Sequence, residues 1–497
     1  MPDSRDAVAR RERDEGPAKE RQLTDAAAQQ LATVSDISDG ARSTNGDGES
    51  EGVHVLNRAA VIRQTLVNAS GVVVLQGASV LMGFGLAILL ARLLGGVGYG
   101  RYAYALAWAS LLTTPALLGL DRFLVRGMAV YEVDSDWRLM KGLLRRTNEL
   151  VLAASAVVVG AGCLTAVLFL SGTLRWTFFI AMFLTPLTAL TLIRQAAMQA
   201  IGRVVSAQLP EYVIRPVLIL LGVGVLALID RHGLNSTSAV AINLGGVIVA
   251  FVVGATMLRR ALPTAVKTVR AQYETRAWLR ASLPMMLIAG VWWANNYVAI
   301  LVVGTIDGAR AAGVYSVVEK GAELIVLVLV ASNLALAPVI ARMHARKDVR
   351  GLEHATERIA QATLAASVPL VAAFAIFPGT YLSVFGKAFQ TGTTALTILA
   401  LAQLFNAAAG PAGNVLIMTG YERAAVRGVG AGLLVNVVLG VALVPPLGVT
   451  GGAIASGVSL LVWNGVLVVL ARRHVEVNVT ALPWVAKARR AAPAASD

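Results

Sequence analysis

Two short stretches put ionisable side chains inside long apolar runs, where a charge facing lipid is costly and is a functional candidate by default. In "QLPEYVIRP", Gln208 to Pro216, Glu211 and Arg215 stand four residues apart. On a helix they share a face with Gln208 and Tyr212. A guanidinium there suits phosphate oxygens, which it can grip through paired N–H groups. The alternative is a plain ion pair with Glu211. In "SVVEKGAEL", Ser316 to Leu324, the residues Ser316, Glu319, Lys320 and Glu323 make one polar stripe at helical spacing. Such a stripe can bind hydroxyl groups or carry a coupling cation (H+ or Na+), or it can be a local salt-bridge set. Asn295 and Asn296, beside Trp292, Trp293 and Tyr297, offer amides and aromatic faces that suit sugars, or hydrogen bonds between helices. Arg194, with Gln195 and Gln199, edges an inner mouth or snorkels toward headgroups.

Other chemistries are excluded by spacing. The stretch "ARLLGGVGYGRYAYALA", Ala91 to Ala107, invites comparison with a dinucleotide fingerprint. After Gly96 and Gly98 the next glycine is Gly100, one position too early, and the flanks are apolar spans rather than a strand and a soluble helix. It reads as a turn between two helices. "GTYLSVFGKA", Gly379 to Ala388, has the wrong glycine spacing for a P-loop and Ala388 where Ser or Thr is required. Direct use of ATP is not expected. Cys163 is the single cysteine, and the histidines lack the spacing of a zinc helix. No cofactor, metal or catalytic constellation is expected, so the chain reads as a non-enzyme.

The elements that must position these groups are membrane helices. The chain has 497 residues, 56% hydrophobic and 14% charged, against about 25% charged in a soluble domain. Its apolar residues come in blocks long enough to cross a bilayer. About twelve spans are predicted, near 67–91, 101–120, 147–170, 175–198, 205–229, 237–258, 281–304, 313–340, 359–380, 392–418, 426–446 and 450–471. The net charge of +14 does not call for nucleic acid. Most Lys and Arg residues fall in alternate inter-span segments, richest at 122–146, 259–280 and 342–358. The positive-inside rule then sets both termini in the cytoplasm, with arginines facing anionic membrane lipids. Arg92, Arg101, Arg175, Arg231, Arg310 and Lys387 are left for the outer side.

The expected division is a disordered cytoplasmic tail at 1–60, a six-helix lobe at 61–258, a basic cytoplasmic linker at 259–280, a second lobe at 281–471 and a tail at 472–497. The tail has no aromatic residue and too little apolar surface to offset its ordering entropy. The linker is an amphipathic helix on the membrane or a solvated connection. The two halves echo one another: Gly100 and Tyr102 open span two, and Gly313 and Tyr315 open span eight. "QAIGR", Gln199 to Arg203, and "MTGYER", Met418 to Arg423, close later spans alike. Repeated halves are a common plan for secondary transporters.

"ARLLGGVGYGRYAYALA" followed by "LLGLDRFLVR", and later "AAGVYSVVEKGAEL", "ALAPVIARM", "NVLIMTGYERAAV" and "PPLGVTGGAIASGVSLLVWN", together resemble the polysaccharide and oligosaccharide flippases of the multidrug/oligosaccharidyl-lipid/polysaccharide (MOP) exporter superfamily. The resemblance covers roughly 65–471. It implies an all-α polytopic protein of the bacterial cytoplasmic membrane, with two six-helix lobes around a central cavity. It also implies export of a polyprenyl-diphosphate-linked oligosaccharide by alternating access, for cell-surface polysaccharide biosynthesis. Arg215 would then attract the substrate's diphosphate, and polysaccharide polymerase and glycosyltransferases would be partners. The alternatives are an ion-coupled multidrug/cation antiporter of the same fold and a non-transporting component of an envelope polysaccharide assembly complex. An acidic residue inside the first or seventh span is frequent in such antiporters and is missing here, as is the large outward loop of a polymerase or ligase.

Overall fold

The computed structural model describes residues 48–230, 233–346 and 348–481; the expectations for 1–47 and 482–497 lie outside the described residues. The chain divides into two compact units, Met1–Val67 and Asn68–Asp497. The described part of the first, 48–67, is helical. The expected tail therefore gives way to helix by residue 48, and from 53 to 70 the sequence has no Gly or Pro to interrupt it.

The second unit is all-α, with no strand among the described residues. Its first half comprises the part of α1 (Gly48–Leu117) from residue 68 onward, α2 (Leu120–Val133), α3 (Trp137–Phe169), α4 (Gly172–Met182), α5 (Leu184–Ala200), α6 (Val204–Leu209), α7 (Arg215–Ile229), α8 (Ser236–Ala261) and the short α9 (Thr264–Thr268). Its second half comprises α10 (Thr275–Ile306), α11 (Gly308–Ala345), α12 (Val349–Ile376), α13 (Pro378–Phe385), α14 (Thr393–Ala409), α15 (Ala412–Met418) and α16 (Glu422–His474). α1 and α16 each contain two spans. Among the described residues nine helices are long and apolar enough to cross a membrane; dividing α1 and α16 and adding α11 gives twelve segments, the expected number.

No loop separates spans one and two. The helix bends at one residue, Gly95, whose φ of 68° and ψ of 178° are open to glycine but not to an ordinary side chain. Spans eleven and twelve join in the same way at Gly448. The tenth span, expected as 392–418, is instead split at Gly410–Pro411, because Pro411 has no N–H to continue the ladder and Gly410 turns left-handed. The linker does not form one amphipathic helix. α8 continues to Ala261, α9 makes a short turn, and 269–274 run without helix into α10. Gln272 N–H donates to the Arg138 carbonyl at 3.1 Å, which fixes the linker to the first half. The segment after α16 is also held: Val477 and Val479 are buried, and Ala481 N–H donates to Ala408 O at 2.9 Å.

The largest apolar core draws on both halves, from Leu90 and Tyr99 through Ile300 to Val314, Phe385 and Phe389. Two smaller cores lie toward the basic segments, the first joined by Trp278 of α10. One is built on α2, α3 and α5, the other on α12, α15 and the two ends of α16.

A shared central cavity as the candidate functional site

The repeat is visible in the hydrogen bonding. Asn243 Nδ2 donates to the Tyr102 hydroxyl at 3.0 Å, and Tyr315 and Ser456 hydroxyls meet at 2.8 Å; both contacts span 141 positions. Tyr102 and Tyr315, like Asn243 and Ser456, stand 213 positions apart, and at this repeat offset Gly95 matches Gly308, both with positive φ. Gly100 and Gly313 match too, and they touch. A Cβ on Gly313 would lie 2.5 Å from the Gly96 carbonyl, and one on Gly100 would collide with the Ala309 carbonyl. The two helical turns thus meet backbone to backbone. Around them Arg92 Nε donates to the Val384 carbonyl at 2.6 Å, Tyr104 and Thr305 hydroxyls meet at 2.9 Å, and the Tyr99 ring sits 5.9 Å from Phe389. This end of the molecule is sealed between the halves.

Beneath the seal lies a cavity of about 560 Å³ lined from both halves. It brings together Glu211, Arg215, Glu319, Lys320 and Glu323, the charged residues singled out in two distant stretches. The first half delivers its pair through an unusual turn. Pro210–Ile214 is one π-helical turn, closed by Arg215 N–H donating to the Pro210 carbonyl. Pro216 cannot bond to the carbonyl four residues back, so the helix widens there. Arg215 pairs with Glu211, and its Nη2 and Nε donate to Asn243 Oδ1 at 3.0 and 3.3 Å. Asn243 in turn holds buried Tyr102, so one polar chain runs from Glu211 to span two. Glu211 Oε2 and Gln208 Oε1 are buried acceptors without partners among the described residues.

The second half delivers its charges from α11. Lys320 Nζ donates to Glu323 Oε2 at 2.7 Å. Glu319 makes no hydrogen bond or ion pair among the described residues. At the repeat offset, Glu319, Lys320 and Glu323 correspond to Leu106, Ala107 and Ser110, which line the same cavity. One half contributes the charged stripe and the other an uncharged counterpart. The lining therefore combines two cations, three carboxylates, the Tyr99, Tyr102 and Tyr297 phenols and Ser316. It can compete for phosphate oxygens at Arg215 and Lys320, and for hydroxyl groups or a cation at Glu319.

Three sequence candidates lie elsewhere. Asn296 Nδ2 donates to the Trp292 carbonyl of its own helix at 3.0 Å, and Asn295 Oδ1 accepts from Ser459 at 3.4 Å. Arg194 lines a second cavity inside the first half, with Lys141, Arg145, Arg259 and Lys267. Asn243 was not singled out from the sequence. A lone amide in an apolar span carries no distinguishing signal until its partner Arg215 is seen beside it.

The family described as polysaccharide biosynthesis protein matches residues 66–344, and the family described as MatE matches 284–442. No curated protein matches the chain. Among solved structures, an inward-facing multidrug resistance MATE family transporter of the MOP superfamily superposes with a TM-score of 0.68 at 16% identity, covering 79% of this chain and 94% of that one. The lipid II flippase MurJ in an inward closed conformation gives 0.62 at 14%, covering 80% and 87%. A MOP superfamily transporter from Pyrococcus furiosus gives 0.57 at 14%, covering 83% and 95%. The chain therefore shares the multi-pass helical fold of these transporters. The chain belongs to the polysaccharide biosynthesis protein family.

Proposed function

We propose that the protein flips a polyprenyl-diphosphate-linked oligosaccharide across the cytoplasmic membrane, by alternating access between its two halves. The observation that carries this reading is the one cavity in which Arg215 and Lys320, from different halves, stand with hydroxyl-binding carboxylates and phenols. A diphosphate headgroup needs cations, and a glycan needs polar and aromatic partners. The lipid tail stays in the bilayer while the headgroup crosses. The backbone seal at Gly100–Gly313 supports a state closed on the outer side, with both termini in the cytoplasm. Polysaccharide polymerase and glycosyltransferases are the partners this reading implies.

A second reading is supported by Glu319, a carboxylate in the cavity with no ion pair. It suits a bound H+ or Na+, either coupling glycan flipping to an ion gradient or serving a cation antiporter of the same fold. The test is reconstitution in liposomes with a fluorescent polyprenyl-diphosphate oligosaccharide, following its protection from an external quencher. Flipping by the wild type and its loss in Arg215→Ala are expected. Transport of an organic cation without glycan flipping would select the antiporter instead.

A further inference from the structure

The cavity holding Arg194 is separate from the central one and is built from four elements of the first half. Lys141 and Arg145 come from α3, Arg194 from α5, Arg259 from α8 and Lys267 from α9. Its volume is about 630 Å³, and its lining includes no acidic residue. It lies between the segments 122–146 and 259–280, the two basic stretches of this half. Leu190, Phe251 and Leu258 give it an apolar wall.

Arg194 is the decisive member. It is only 3% exposed, and its Nε and Nη2 are buried without a hydrogen-bond partner among the described residues. Nη1 reaches only the Met198 sulfur, at 3.6 Å. Glu211 adds an attractive charge, but its Oε1 pairs with Arg215 and its Oε2 makes no hydrogen bond to Arg194. Gly254 makes this burial feasible, because a Cβ there would collide with the guanidinium. An unpaired buried cation is expensive, so a fold that keeps one, and clears backbone space for it, points to an anion that is bound in use. Among the other cations, Lys141 donates to the Lys267 and Val269 carbonyls at 2.8 Å each, and Arg145 pairs with Glu149. Arg259 and Lys267 are exposed and have no ion pair among the described residues.

We propose that this cavity binds the phosphate of an anionic phospholipid headgroup, with Arg194 as its inner anchor and Arg259 and Lys267 as its rim. The apolar wall fits the glycerol and the roots of the acyl chains, which a free phosphate would leave unfilled. Basic pockets between helices at the charged side of a membrane protein bind such headgroups. The full-length protein, purified in detergent, is to be titrated with phosphatidylglycerol and with phosphatidylcholine. Native mass spectrometry reads retained lipid, and thermal unfolding reads stabilisation. Phosphatidylglycerol is expected to be retained about tenfold more weakly by Arg194→Gln and by the Arg259→Ala/Lys267→Ala pair. Without lipid, Arg194→Gln should unfold at the same or a higher temperature, since it removes an unpaired buried charge. The rim pair keeps the test sound if Arg194→Gln fails to fold. A control pair, Arg350→Ala/Arg358→Ala, should bind like the wild type. Equal retention of phosphatidylcholine, equal loss in the control pair, unchanged binding in both test variants, or equal stabilisation by inorganic phosphate would each overturn the assignment.

Discussion

Arg215 is held on two sides, by the Glu211 carboxylate and by Asn243. A substrate phosphate therefore has to displace one acceptor without meeting a freely moving cation. Arg215→Ala should lower flipping in liposomes at least tenfold while membrane insertion, read by fractionation, stays intact. Arg215→Lys should recover part of it, since an ammonium supplies charge without the forked geometry. Asn243→Ala should also reduce flipping, because it frees the guanidinium from its orienting acceptor. Glu319→Gln should abolish the dependence of transport on an imposed H+ or Na+ gradient, measured as the ratio of initial rates with and without it. The charged members of this site were legible in the sequence because charges are rare in apolar runs. Asn243 and Tyr102 were not, since a single amide or phenol in a span usually serves helix packing. Asn295 and Asn296 offered either sugar contacts or hydrogen bonds between helices; Asn295 accepts from Ser459 of α16, and Asn296 donates to the Trp292 carbonyl of its own helix.

At the scale of elements, the π turn at 210–214 and the glycine contact between the halves decide what the helices can do. Pro216→Ala restores a backbone donor and should let a regular helix form through the turn. A proline inside a helix costs up to about 3 kcal/mol, so the variant should unfold at a higher temperature. It should also flip more slowly, because Glu211 and Arg215 rotate out of register with Asn243. Gly100→Ala inserts a methyl group where the Ala309 carbonyl sits. The expected cost is about 1–3 kcal/mol against closure at that end. Spin labels at Val97→Cys and Arg310→Cys, in a Cys163→Ala background, should then show a larger share of long distances. The span count was readable from hydropathy. The loopless bend at Gly95 was not, because a glycine cluster between apolar runs looks the same whether it forms a loop or one bent residue. The break at Gly410–Pro411 was within reach, since the Gly-Pro pair is a known interruption.

At the scale of the molecule, two repeated halves share one offset in their tyrosine hydrogen bonds and in their bending glycines, yet they charge different helices. The first half places its charges at the π turn and the first residue of α7, and the second on α11. The repeat itself was legible at Gly100–Tyr102 and Gly313–Tyr315, whereas the convergence of the two charged stretches required the packing. The orientation drawn from the basic segments predicts which cysteines an impermeant maleimide reaches. In Cys163→Ala, a cysteine at Arg175 or Lys387 should react in intact cells. One at Arg270 or Arg350 should react only after permeabilisation. The reverse pattern would turn the molecule over and put the Gly100–Gly313 seal on the cytoplasmic face.

The bend at Gly95 also constrains how the cavity can move. A joint of one residue, with stiff helix on either side, contains no slack. Any swing of the span that carries Ser79 and Leu86 must be passed at once to the span that carries Tyr102 and Ser110, both of which line the cavity. The two act as arms of a single crank, geared to one another at their shared pivot. Two or three extra residues at that joint would leave each arm whole and let the first idle while the second stays still.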